Sequence, residues 1–149
     1  MADEFDLERF VQAQDAAGTY GRALAELRAG RKTSHWMWFV LPQVVGLGGS
    51  GMARRYAVSG LSEARAYLAH PVLGPRLREC AQALLDVPGG DAVAVLGPVD
   101  AMKLRSSMTL FAAAAPEEPL FTAVLGRYHG GRPDEATQKA LREGPAGLG

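Results

Sequence analysis

Apolar residues recur at intervals of three and four along most of the chain, a spacing that predicts a succession of short helices. Leu7, Phe10, Val11 and Gln14 share one face behind Asp6, a residue type that caps helix starts, and Gly18 closes the segment. Tyr20, Ala23, Leu24 and Leu27 repeat the pattern, and Gly30 supplies the left-handed stop common after helices. Ser62 is expected to cap a helix carrying Ala64, Tyr67 and Leu68. That helix halts near His70-Pro71, because a residue before proline is driven out of helical geometry. Leu73, Leu77, Cys80, Ala81 and Leu84 form a further stripe, ended by Pro88-Gly89-Gly90. Asp91 opens a short helix to Leu96. Asp100 is expected to cap a longer one through Lys103, Leu104, Met108 and Phe111 into the alanines from Ala112 to Ala115. Leu120, Val124 and Leu125 mark another, closed by Gly130-Gly131, and Asp134 opens a last one to Arg142.

Period-two alternation is scarce, and the β-branched pair Val44-Val45 is too short to make a strand. This pattern gives an all-α fold class: a single compact domain of several short packed helices over residues 1–149. Its ordered core is expected over about residues 5–142, with a fraying glycine-rich C-terminal tail.

Composition narrows the functional classes. A chain of 149 residues buries roughly 68–70% of its unfolded surface, so one core suffices without disulfide or metal. The 16 basic and 16 acidic side chains cancel, and no long block of one sign appears. A nucleic-acid partner or a membrane surface is therefore not expected. No apolar run approaches the ~20 residues that span a bilayer, and the acidic N-terminus lacks a signal pattern. With a single cysteine, Cys80, the expected location is the cytoplasm.

Candidate chemistry concentrates in two segments. The first runs from Ser34-His35 through Trp36, Trp38 and Phe39 to Pro42-Gln43, and holds both tryptophans of the chain. Buried indoles need partners for their N–H groups, and a histidine beside them can change charge near neutral pH. Apolar walls with a few polar groups are also how small-ligand pockets are built. The second segment surrounds Lys103, which shares a helix face with Ser107 and lies among Leu104, Met108, Leu110 and Phe111. A lysine so placed snorkels to water, finds a carboxylate or meets an anionic ligand, and desolvation would lower its pKa. Ser106, Ser107 and Thr109 add hydroxyls, which inside helices normally bond a preceding carbonyl.

Other signals are weaker. Gly46, Gly48 and Gly51 match a dinucleotide fingerprint in form, but the flanking parallel strands it requires are missing from the pattern. No cofactor is expected. Three dispersed histidines, His35, His70 and His129, with Cys80 give no metal-ligand spacing. Cys80, on an apolar stripe, reads as an inert core thiol.

Taken together, Asp6-Leu7-Glu8-Arg9-Phe10, Ser34 to Phe39 with Pro42-Gln43, and Lys103 through Phe111 resemble segments of small bacterial proteins of unknown function. Members of that group are often labelled calpastatin-like. The match runs from Asp6 to about Leu141. The resemblance implies an all-α fold of short packed helices and brings no established activity.

Two functional classes fit. In the first, Lys32, Ser34, Trp36, Trp38, Gln43, Ser106 and Ser107 converge with His35 and Lys103 on one cleft. Lys103 would hold anionic oxygen and His35 would transfer a proton, on a small planar anionic compound such as a nucleotide or ADP-ribose derivative. In the second class the same groups knit helices together in a non-catalytic binding or interaction module. The sequence carries no signal of oligomeric state.

Overall fold

The computed structural model describes residues 3–143 of the chain. Among these, ten α-helices succeed one another: α1 (Glu8–Asp15), α2 (Thr19–Ala29), α3 (Met37–Val40), α4 (Gly51–Arg55) and α5 (Leu61–Ala69) in the first half. The second half holds α6 (Leu73–Asp86), α7 (Ala92–Leu96), α8 (Pro98–Ala114), α9 (Pro119–His129) and α10 (Glu135–Glu143). A 3₁₀ turn, Ala16–Gly18, joins α1 to α2. The all-α architecture matches the sequence reading. Of the fraying tail expected beyond residue 142, only Glu143, the last residue of α10, falls within the described residues.

Helix α8 is the axis of the molecule. It packs against α5, α7, α9 and α10, while α6 lies across α2, α5 and α9. Leu104, Met108, Leu110 and Phe111 of α8 are fully enclosed, and the small Ala114 and Ala115 are buried where the chain leaves the helix. A file of aromatic rings crosses the core. Phe10 meets Tyr67 edge-on at 5.1 Å, Tyr67 meets Phe111 at 5.3 Å, and Phe111 meets Phe121 at 6.0 Å. Such tilted contacts suit the ring quadrupole and tie α1, α5, α8 and α9 together.

Helix ends obey local chemistry. Gly30 adopts φ 74° and closes α2, with the Arg31 amide reaching back to the Glu26 carbonyl at 3.0 Å. The Asp91 carboxylate accepts from the amides of Val93 and Ala94, and that of Asp134 accepts from the Thr137 amide and hydroxyl. Three expected caps are corrected. Asp6 takes a left-handed backbone (φ 51°), and Asp3 instead accepts the amides of Leu7 and Glu8 at 2.7 and 2.8 Å. Ser62 lies inside α5, whose start is held by Glu63 accepting the Ser59 amide. Asp100 sits in the first turn of α8 behind Pro98, with its carboxylate spent on two lysines.

Two tertiary contacts tie loop segments to the helical core. Val44 and Val58 form an isolated parallel bridge, with the Val45 amide on the Val58 carbonyl at 2.8 Å and the Val58 amide on the Gln43 carbonyl at 2.9 Å. The glycine-rich segment between them leaves and re-enters the core at one point. Arg105 of α8 donates to the carbonyls of Arg132 and Pro133 at 2.9 Å each, and Thr109 accepts the Asp134 amide, so the start of α10 is docked on α8. No helix among the described residues is long and apolar enough to cross a membrane.

Candidate functional site

The turn after α2 folds the chain back on its own last helical turn. Glu26, buried there, accepts four hydrogen bonds: from the amides of Thr33 (2.8 Å) and Ser34 (3.0 Å), the Ser34 hydroxyl (2.5 Å) and the Trp36 indole (2.9 Å). Burial alone would raise its pKa, but the Ser34 hydroxyl, the Thr33 amide and the Trp36 indole outweigh that and hold it at about 2. At neutral pH the carboxylate is therefore ionised, and it ties down the stretch from Thr33 to Trp36. Trp36 is fully enclosed.

Trp36 sits just before the one-turn helix α3 with a non-helical backbone (φ −146°), and Trp38, inside that helix, is only half-buried. Each indole carries a lysine on its face: Lys32 Nζ lies 5.1 Å from the Trp36 ring centroid and Lys103 Nζ 5.5 Å from that of Trp38. Asp100 stands between the two cations. Its Oδ2 is 2.9 Å from Lys32 and its Oδ1 is 3.9 Å from Lys103. The Lys32 side chain is only 8% exposed, against 27% for Lys103.

Lys103 and Trp38 face a cleft of about 650 Å³. Buried Met37, Leu41 and Tyr56 mark its depth. Val99 and Met102, exposed at 66% and 69%, mark its rim, and the segment from Val45 to Ser50 borders it. Arg54 and Asp134 add one charge of each sign, the first donating to the Gly49 carbonyl and the second capping α10. Among the described residues no histidine or cysteine lines the cleft, so its chemistry is that of two cations, a carboxylate, an indole face, hydroxyl and amide groups on an apolar bed.

Of the residues singled out in the sequence, Trp38, Gln43, Lys103 and Ser106 line this cleft together. Lys32 stands one residue behind, through Asp100. Ser34 and Trp36 are tied to Glu26, outside the lining. His35 is exposed and also outside it. Ser106 and Thr109 bond the carbonyls of Met102 and Arg105, whereas the Ser107 hydroxyl is fully buried without a partner. His70 accepts the amides of Val72 and Leu73, which makes it a helix-start group. His129 lies at a smaller hollow of about 380 Å³ with Arg105, where burial, then the Arg105 charge, lowers its pKa.

Several groups escaped the sequence reading. Glu26 carried no signal in the sequence and Asp100 read only as a helix cap; the folded-back loop supplies their partners. Val99 and Met102, two exposed apolar residues at the start of α8, also went unread.

The fold and cleft define a small all-helical domain with a prominent recess. The chain belongs to the family described as "Protein of unknown function (DUF1810)", whose model matches residues 4–141. It is similar to the conserved hypothetical protein Rv1873 from Mycobacterium tuberculosis, known from a crystal structure. The two share 51% sequence identity with a TM-score of 0.90, over 94% of this chain and 99% of that one. No curated protein matches the chain.

Proposed function

We propose that the protein binds a small, planar, anionic compound of the nucleotide or ADP-ribose class in the cleft beside Trp38 and Lys103. The observation that carries this reading is the lysine held over an indole face at the wall of a 650 Å³ recess with an exposed apolar rim. An aromatic ring stacks on such a face while the ammonium meets anionic oxygen. The recess falls in the volume range of pockets that enclose drug-sized ligands. Val99 and Met102 offer apolar contact that a solvated surface gains nothing by displaying.

A binding role is the reading rather than a proton-transfer reaction, because His35 lies away from the lining and no other histidine replaces it there among the described residues. For Ser34 and Trp36 the Glu26 network favours the structural role. The calpastatin-like label points to an inhibitor acting as an extended chain, whereas a packed helical core supports a pocket. A buried free thiol, Cys80, is compatible with a reducing cytoplasm.

Thermal unfolding with ADP-ribose, NAD and mononucleotides tests the reading. A ligand at a hundred times its Kd should add about 2.7 kcal/mol of stability. The shift should vanish in Trp38→Ala and Lys103→Ala. No shift with any of these compounds, or an undiminished shift in both variants, would reject it.

A further inference from the structure

We infer that Lys32, which does not touch the cleft, is a positioning residue for it: by holding Asp100 it leaves the charge of Lys103 available to the bound anion. This rests on the ligand-binding reading above. The geometry divides one carboxylate unequally between two cations. Asp100 Oδ2 is 2.9 Å from Lys32, a full ion pair, while Oδ1 is 3.9 Å from Lys103, at the limit of one.

Burial explains the asymmetry. An ammonium as enclosed as that of Lys32 requires a counter-charge, because leaving it unpaired costs more than the pair itself contributes. Its position is further fixed by its backbone amide, which donates to the Val95 carbonyl at 2.7 Å, and by the Trp36 ring below it. Trp36 in turn is held by Glu26 at 2.9 Å. Lys103 is more solvated and has the Trp38 face as an alternative resting place, so it has less need of Asp100.

The charges sum accordingly. Lys32 and Asp100 cancel, Arg54 and Asp134 cancel across the cleft, and Lys103 is the cation left over among the described residues there. Without Lys32, the nearest cation to Asp100 is Lys103, and the two would close into a pair that competes with any incoming anion. Asp100 then changes from a spectator into an inhibitor of binding.

The test is a binding comparison with ADP-ribose as the probe, by calorimetry, on the full chain. Lys32→Met should weaken binding by about tenfold, the scale of a competing close charge pair. The double variant Lys32→Met/Asp100→Asn should recover most of the affinity, because the competitor is gone. Should Lys32→Met fail to fold, Lys32→Gln removes the charge while keeping a donor for Asp100. Unchanged affinity in the single variant overturns the inference, as does a loss that the double variant fails to reverse. If the wild type binds neither ADP-ribose nor NAD nor a mononucleotide, the ligand reading falls and takes this inference with it. If it binds and Lys32→Met binds equally, only the inference falls.

Discussion

Trp36 donates its indole N–H to Glu26 at 2.9 Å, joining the last turn of α2 to the segment that leads into the cleft. A carboxylate held at about 2, against an ordinary value of 4.5, is more stable ionised in the folded state than in the unfolded one. Its stabilisation is fully present above pH 4.5 and is lost as pH falls toward 2. Melting temperature should therefore drop across that window. Glu26→Gln should lose about 1.5–3 kcal/mol at pH 7 and flatten the acid decline, measured by unfolding at a series of pH values.

The two indoles differ in access. Trp36 is sealed and Trp38 lines the cleft, so acrylamide should quench mainly Trp38 emission. In Trp38→Phe the remaining fluorescence should resist quenching. Equal quenching of both variants, Trp36→Phe included, would show that the recess is closed.

Ser107 presents a hydroxyl with no partner at a fully buried position. A desolvated hydroxyl costs free energy that an alanine methyl does not. Ser107→Ala should leave the melting temperature unchanged or raise it by about 2–4 °C, the effect of about 1 kcal/mol in a domain of this size. A clear drop would mean that the hydroxyl has a partner in solution.

Cys80 should be silent to thiol reagents in the native protein. Burial, only partly offset by its contact with the Tyr20 hydroxyl, pushes the thiol up to about 12, and the thiolate is the reactive form. A chromogenic disulfide at pH 8 should report no free thiol until guanidinium is added, and then one per chain.

Local chemistry made most of the fold legible. The stripe from Leu73 to Leu84, the stop at Gly30 and the caps at Asp91 and Asp134 depend on neighbours within one or two turns, and these agree with the structure. Asp6, Ser62 and Asp100 have the right chemistry for caps, yet Asp3 and Glu63 hold the starts of α1 and α5, and Gly97-Pro98 opens α8. In the cleft, Trp38, Gln43, Lys103 and Ser106 were readable because they interrupt apolar patterns with polar chemistry, or the reverse. Behind the cleft, Glu26 was not readable and Asp100 read only as a cap, because an acid on a helix is ordinary until a distant loop returns to it. His35 shows the converse: neighbouring tryptophans in sequence do not fix which way an intervening turn points a side chain.

The bridge between Val44 and Val58 also bears on how the mouth of the cleft can vary. Since the excursion it encloses begins and ends at a single clamp, its length is decoupled from the helices behind it, and loop closure charges little for extra residues. Glycines added or removed between Gly46 and Gly51 would widen or narrow the mouth while the indole and the ammonium stay put. Under the proposed ligand reading, the size of guest admitted would then vary with the loop, while Trp38 and Lys103 keep their places.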